Sequence, residues 1–393
     1  MKYIIAIFTT LSLLNAQSQS TADILIKNGK IIDGTGNSWY YGDVAILHDT
    51  IAAVGNLNDW QAAKTIDASG LMVAPGFIDV HTHIENDEVK NPFASNFIMD
   101  GVTTIVTGNC GLSETDLKKY FSMIDSLHVA VNVASLIGHN NVRRAVMGNE
   151  SRDPSDSELT QMELLVKQAM LDGAVGISTG LIYTPGTYSK TPEVTALVKV
   201  AAAYNGVYAT HMRDEGDSVT QAITEALDIA KAANIPLEIS HFKVSGQQNW
   251  GRSSETLNMV KTARAEGIDV TIDQYPYTAS STSLNTLLPD WVLTGTADSI
   301  KQKLQDETIR KQCTDYMVGK LKKRKLKHFS YAVVASYKAD STLNGKSIEE
   351  INAIWKRKHN ASSEATTIMD MAINGGAGMI FHGMSEKDVQ YIK

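Results

Sequence analysis

The sequence predicts an α/β protein built on a TIM-like (β/α)8 barrel, incomplete with about seven strands present, preceded by a small all-β segment. Three observations predict it. From Val73 onward, apolar runs of strand length alternate with amphipathic helical stretches. No glycine-rich dinucleotide fingerprint follows the first of these runs, which disfavours the doubly wound alternative. The residues that end the runs are also chemically distinctive, and in such a barrel the strand ends build the site.

The elements follow in order. Met1-Lys2-Tyr3, an apolar stretch and then Ala16 give residues 1–16 the charged start, short apolar run and small final residue of a secretory signal peptide. That run is too short to span a membrane comfortably, and no later segment approaches an uninterrupted span. The expectation is an exported protein, periplasmic or extracellular, cleaved near Ala16. Residues 17–72 form the β segment, in which residues 23–34 read as a hairpin turning at Asn28-Gly29, continued by runs at 44–46 and 51–55. The barrel covers 73–280, with strands before His81 and at 103–106, 129–133, 175–178, 207–210, 237–240 and 270–273. Polar, lysine-bearing helical stretches mark 281–345 as an inserted small domain, and 346–393 return to the barrel.

Composition narrows the function classes. A chain of 393 residues with 43% hydrophobic and 20% charged residues buries a sizeable core. Its net charge of -7 argues against a nucleic-acid partner, and the basic residues at 322–327 are most simply a solvated helix face. Two cysteines, Cys110 and Cys313, are too few for the disulfide framework of an exported domain. Cys110 therefore reads either as a small buried hydrophobe or as a ligand.

Strand ends decide between those two. His81 and His83 share one face, because alternate residues of a strand point the same way. Strand two ends in Gly108-Asn109-Cys110-Gly111, strand five in Thr210-His211-Met212-Arg213, and strand six in Ser240-His241-Phe242-Lys243. Any one of these histidines is more simply a core residue. Four histidines and a thiol on one rim are a ligand set suited to zinc. Lys243, two residues beyond His241, emerges on the same face and can pair with an anion.

Gly76-Phe77-Ile78-Asp79-Val80-His81-Thr82-His83, the Gly108–Gly111 turn, Gly176-Ile177-Ser178-Thr179-Gly180-Leu181-Ile182-Tyr183 and Thr210-His211-Met212-Arg213 together resemble the amidohydrolase superfamily. More narrowly, they resemble its N-acyl-D-amino-acid deacylases, from Asp23 to the end of the chain. The strand-two cysteine is the discriminator, since dihydroorotases and hydantoinases use a lysine after strand four, where this chain has Ser178 and Thr179. The resemblance implies a zinc-dependent amide hydrolase with a small N-terminal β-sandwich and a lid over the site. It also implies one tight zinc on Cys110, His211 and His241, and a second, weaker position beside His81 and His83 bridged by the same thiolate. Tyr183, Lys243 and Tyr275 match positions that hold the substrate carboxylate, with Tyr277 the rival of Tyr275.

The same resemblance puts the proton-transferring aspartate, and an arginine for the substrate, beyond Lys393. Asp370 and Asp388 lie in helical stretches and are poor substitutes. A barrel ending before strand eight would expose unpaired edges, so residues 17–393 alone are expected to be poorly soluble or molten. A sharp cooperative melt of that monomer would contradict this. Three readings follow: a deacylase of N-acyl-D-amino acids, another amidohydrolase acting on a linear or cyclic amide, and a non-catalytic metal-binding relic.

Overall fold

The computed structural model describes residues 20–85 and 87–393, so the expected signal peptide lies outside the described residues. The chain divides into two compact units, Met1–Phe77 and Ile78–Lys393.

The first unit is a mixed sheet of β1 (Thr21–Ile31), β2 (Tyr40–Leu47), β3 (Thr50–Gly55), β4 (Gln61–Asp67) and β5 (Met72–Val73). Its order is β3-β2-β1-β4, with β5 also on β1. The expected hairpin at Asn28-Gly29 is not formed. β1 runs straight through, and the two residues make a bulge where its register against β2 shifts. Asn28 takes the left-handed conformation (φ 63°) that an Asn-Gly pair favours in a turn. Here its N–H donates to Asp43 Oδ1 (2.9 Å) and its amide to Asp67 Oδ1 (3.1 Å), which holds it inside the sheet. A small core of Ala22, Leu25, Ala45 and Leu57 lies beneath.

In the second unit a parallel arc follows chain order. The elements are β6 (Phe77–Asp79), α1 (Ser95–Ile98), β7 (Val102–Thr107), α2 (Leu117–Leu127), β8 (Asn132–Ser135), β9 (Ile137–Gly138), α3 (His139–Met147), α4 (Asp156–Leu171), β10 (Gly176–Gly180), α5 (Thr191–Ala202), β11 (Val207–His211), α6 (Val219–Ala233), β12 (Leu237–Ile239), α7 (Ser253–Ala265) and β13 (Val270–Ile272). Strands pair as β6-β7-β8 and β9-β10-β11-β12-β13, and Leu136 N–H donates to Thr107 O (2.9 Å) where the two sheets meet. The third strand run is β8 and β9, at 132–135 and 137–138, later than the predicted 129–133, and Val129, Val131 and Val133 pack in a local cluster with Ile105.

The helices are fixed by local chemistry and then by packing. Ser155 and Glu158 close a capping box at the start of α4, which buries Met162, Val166, Ala169 and Met170 at helical spacing. α6 buries Val219, Ala222, Ile223, Ala226, Ile229, Ala230 and Ala233 in the same way, and Asn234 ends it in the left-handed conformation. One core beneath these helices runs from Leu117 to Val270.

An inserted body follows: β14 (Ala279–Ser283), α8 (Ala297–Gln305), α9 (Glu307–Lys323), β15 (Ala332–Ser336), α10 (Ile348–Ile354), α11 (Ala361–Ile373) and β16 (Gly378–His382), before α12 (Glu386–Ile392). It has its own antiparallel sheet, β14-β16-β15, and its own core from Leu284 to Met379. It is therefore larger than the predicted 281–345. Ile348, Ile351, Ile368 and Met369 turn α10 and α11 into this second core, so the return toward the barrel comes after His382.

Candidate metal centre

Five of the sequence-predicted residues meet at one sulfur atom or beside it. Cys110 Sγ lies 3.5 Å from His81 Nε2, 3.7 Å from His211 Nδ1 and 3.6 Å from His241 Nε2. The ligand atoms of Cys110, His211 and His241 fall within 4.8 Å of one another, as do those of His81, His83 and Cys110. Cys110 and His211 are buried, and His81 and His241 nearly so.

The turn that presents Cys110 is built from its neighbours. Cys110 itself is left-handed (φ 54°), a costly conformation for a residue with a side chain. It is held there by close backbone approach on both sides. A Cβ on Gly108 would run into the Leu136 carbonyl, and one on Gly180 into the Cys110 carbonyl, so both positions require glycine. Ser178 completes the cradle by accepting from Gly111 N–H (2.9 Å) and donating to Gly108 O. Ser178 thus supports the thiol turn, whereas Thr179 pairs with Tyr208 and Thr210. His241 is also left-handed (φ 39°), and its N–H donates to Asp273 Oδ1 (2.6 Å).

Two carboxylates orient the imidazoles. His81 Nδ1 is 3.1 Å from Asp273 Oδ2, which aims Nε2 at the sulfur. His241 Nδ1 is 2.9 Å from Glu215 Oε1, again leaving Nε2 toward the sulfur. A carboxylate behind a ligating histidine fixes its tautomer and raises its basicity. The buried His211 Nε2 has no hydrogen-bond partner, with Glu215 Oε2 3.8 Å away. A thiol, three inward-facing imidazole nitrogens and two supporting carboxylates are a donor set that fits a zinc-class ion.

Electrostatics point the same way. Burial, and next the charge of Glu215, push the Cys110 thiol well up, so a thiolate here needs a cation beside it. Burial holds His211 and His241 below the usual histidine value, which keeps them neutral and able to ligate. Burial works against the Glu215 and Asp273 anions as well. The Lys243 charge is the leading cause that overcomes it for Glu215, and the His81 hydrogen bond leads for Asp273, leaving both acids below the carboxylate range.

Glu215 and Asp273 were missed by sequence reasoning. The available signals were Glu215 four residues after His211 and Asp273 closing the seventh strand run. Asp370 and Asp388 lie on α11 and α12, where Asp370 pairs with Arg310 and Arg357 and Asp388 accepts from Gly251 N–H.

The centre floors a cavity of about 580 Å³ whose far wall comes from the inserted body through Lys320, Arg324, Tyr331 and Phe381. Tyr183 and Tyr275 stand on the wall. Tyr183 Oη is 3.5 Å from His211 Nδ1 and accepts from Thr282 Oγ1 (3.0 Å), whereas the buried Tyr275 hydroxyl has no partner. Tyr277, two-thirds exposed, stacks on Tyr275. Lys243 is already engaged, with Nζ 2.6 Å from Glu215 Oε1, 2.8 Å from His241 Nδ1 and 2.9 Å from His241 O.

That engagement makes Lys243 testable. Lys243→Met should leave Glu215 as an uncompensated charge and cost about 3 kcal/mol, at the low end for a buried pair. The folded Glu215 carboxyl lies below its ordinary 4.5, so its contribution is complete above that pH and is lost as pH falls through the folded value. The substitution raises the folded value and moves the acid loss to higher pH. Urea midpoints measured from pH 7 to pH 4 check both effects, and an unchanged midpoint at pH 7 would contradict the first.

Residues 64–301 match the Amidohydrolase family. D-aminoacylase of Alcaligenes xylosoxydans xylosoxydans is 40% identical over 285 residues, covering 67% of this chain and 59% of the relative. N-acyl-D-glutamate deacylase of the same organism is 37% identical over 288 residues, covering 68% and 59%. The chain thus spans about six-tenths of the length of these curated relatives. Among solved structures, a D-aminoacylase superposes with a TM-score of 0.77 at 33% identity, over 94% of this chain and 73% of the other. N-acyl-D-glutamate deacylase of Bordetella bronchiseptica, complexed with zinc and a phosphonate inhibitor, gives 0.78 at 30% identity, over 95% and 74%.

Proposed function

The chain belongs to the amidohydrolase family, on its D-aminoacylase branch, and from that premise we propose that it serves a zinc-dependent hydrolase of N-acyl-D-amino acids, releasing the D-amino acid and a carboxylate. The observation that carries the reading is the meeting of Cys110, His81, His211 and His241 on the floor of a cavity large enough for a small acylated amino acid. Zinc bound there supplies a Lewis acid and a water acidified toward neutral pH. The protein supplies the rest. Glu215 and Asp273 hold two imidazoles in the ligating tautomer, and Lys243 keeps Glu215 ionised.

Substrate recognition is proposed for the cavity wall. The Tyr275 hydroxyl is positioned to donate to a bound anion, and Tyr183 borders the metal ligands. Lys243, already paired, contributes positive field more than a free donor, and Lys320 on α9 and Arg324 just beyond it add cations on the far wall. In the same proposal the protein is exported after cleavage near Ala16, which N-terminal sequencing of secreted material tests. No helix among the described residues is long and apolar enough to cross a membrane.

The activity test compares hydrolysis of paired N-acetyl-D and N-acetyl-L amino acids by zinc-loaded protein carrying this chain. The expected result is turnover of the D series, loss on chelation and recovery on adding zinc. Preference for the L series, or turnover indifferent to chelation, would remove the proposal in favour of another amide substrate or of a binding role.

A further inference from the structure

A second group of metal-ligating side chains lies in the inserted body, and none of its members lines the cavity. His328 follows α9, Glu349 is in the first turn of α10, His359 is in the α10–α11 connection, and Glu364 is in the first turn of α11. One ligand atom from each falls within 4.8 Å of all the others. His328 Nδ1 is 2.6 Å from Glu364 Oε1 and 3.6 Å from Glu349 Oε1, and His359 Nε2 is 2.6 Å from the same Glu349 oxygen.

Hydrogen bonding alone is an uncomfortable account of this arrangement. The two imidazole rings stack face to face, centroids 4.2 Å apart and 8° from parallel, so protonating both would set two cations against each other. Protonating one ring or neither leaves the four groups net negative around Glu364, which is fully buried. A single divalent ion satisfies all four groups at once. Glu364 is also braced for ligation, because its second oxygen accepts from Phe329 N–H (2.7 Å) and so fixes the first toward the cluster.

We propose that His328, Glu349, His359 and Glu364 form a structural site for a zinc-class divalent ion, separate from the barrel centre. Two imidazole nitrogens and two carboxylate oxygens are a zinc donor set, whereas calcium and magnesium favour oxygen alone. Four protein ligands leave no open position, which makes the role one of holding structure. The ion ties the segment after α9 to the starts of α10 and α11, and these helices build the core behind the cavity's far wall.

The test counts zinc equivalents per chain by equilibrium dialysis and elemental analysis, in the parent and in three variants. His359→Gln alters a side chain that is 66% exposed and so leaves folding intact. His328→Gln/His359→Gln removes both nitrogens. Cys110→Ala/His211→Ala removes the barrel centre and isolates the proposed site. The expected result is about one equivalent lost in the His328/His359 double variant, weakened retention in His359→Gln, and about one equivalent kept in the Cys110/His211 double variant. Cobalt in that last variant should show the weak visible bands of a nitrogen and oxygen site with no thiolate charge transfer. Zinc content unchanged by both His359→Gln and the His328/His359 pair would overturn the proposal. So would an absence of bound zinc or cobalt in a folded Cys110/His211 variant, leaving a hydrogen-bonded histidine–carboxylate cluster.

Discussion

Cys110→Ser is expected to weaken zinc binding at the barrel centre by well over a hundredfold. Removing a group that merely supports a ligand costs about 10–100-fold in metal affinity, and here the ligand itself goes. Serine keeps the size and the left-handed turn, so the fold should stay. Its hydroxyl, though, does not ionise in a site where burial already opposes the thiolate. Cys110 Sγ is the atom common to His81, His211 and His241, so no remaining pair of donors replaces it. Competition against a chromophoric chelator measures the change, and hydrolysis should fall in step. Affinity within tenfold of the parent would mean that the three histidines bind the ion without sulfur. Asp273→Asn provides the calibration, with an expected loss of about 10–100-fold, since it removes no ligand and loosens the orientation of His81 and the backbone support of His241.

Glu193→Gln should be the most damaging substitution for stability, at about 3–5 kcal/mol. Glu193 on α5 sits between His139 Nε2 (2.9 Å) and Arg143 Nη1, both of them on α3, and all three side chains are essentially inaccessible. Burial raises the Glu193 carboxyl, but His139 and then Arg143 more than reverse this and hold it ionised. Glutamine leaves the Arg143 guanidinium buried without its counter-charge, and Arg143 Nε already lacks a partner. A urea titration checks the value. A loss below about 1 kcal/mol would put the pair in the class of exposed salt bridges and contradict the burial argument.

The sequence carried the barrel and the convergence of the candidate ligands clearly because both are written locally. Strand runs alternate with helices, and each ligand stands at the end of its own run, so placing His81, Cys110, His211 and His241 needed no knowledge of distant contacts. The supporting acids were harder. Glu215 and Asp273 stand close to histidines in sequence, but acids near histidines are common, and only the folded rim shows that each sits behind a ring nitrogen. The hairpin failed for a related reason. Asn28-Gly29 asks for a left-handed residue, and a bulge satisfies that as well as a turn; Asp43 and Asp67, which select the bulge, lie 15 and 39 residues away. α10 and α11 have the periodicity of any helix with one buried face, and that pattern does not say which core the face meets.

The sulfur at the centre of the rim joins residues 29, 101 and 131 positions apart. An ion held there is thus a reversible crosslink, taking chain entropy out of the unfolded state much as a covalent tie does, and most strongly through the longest loops. Because binding shifts folding by mass action, the free zinc concentration around the protein becomes a dial on its durability as well as on its chemistry. Starved of metal, the arc from β6 to β13 loses its fastener, and its loops should be the first places a protease cuts.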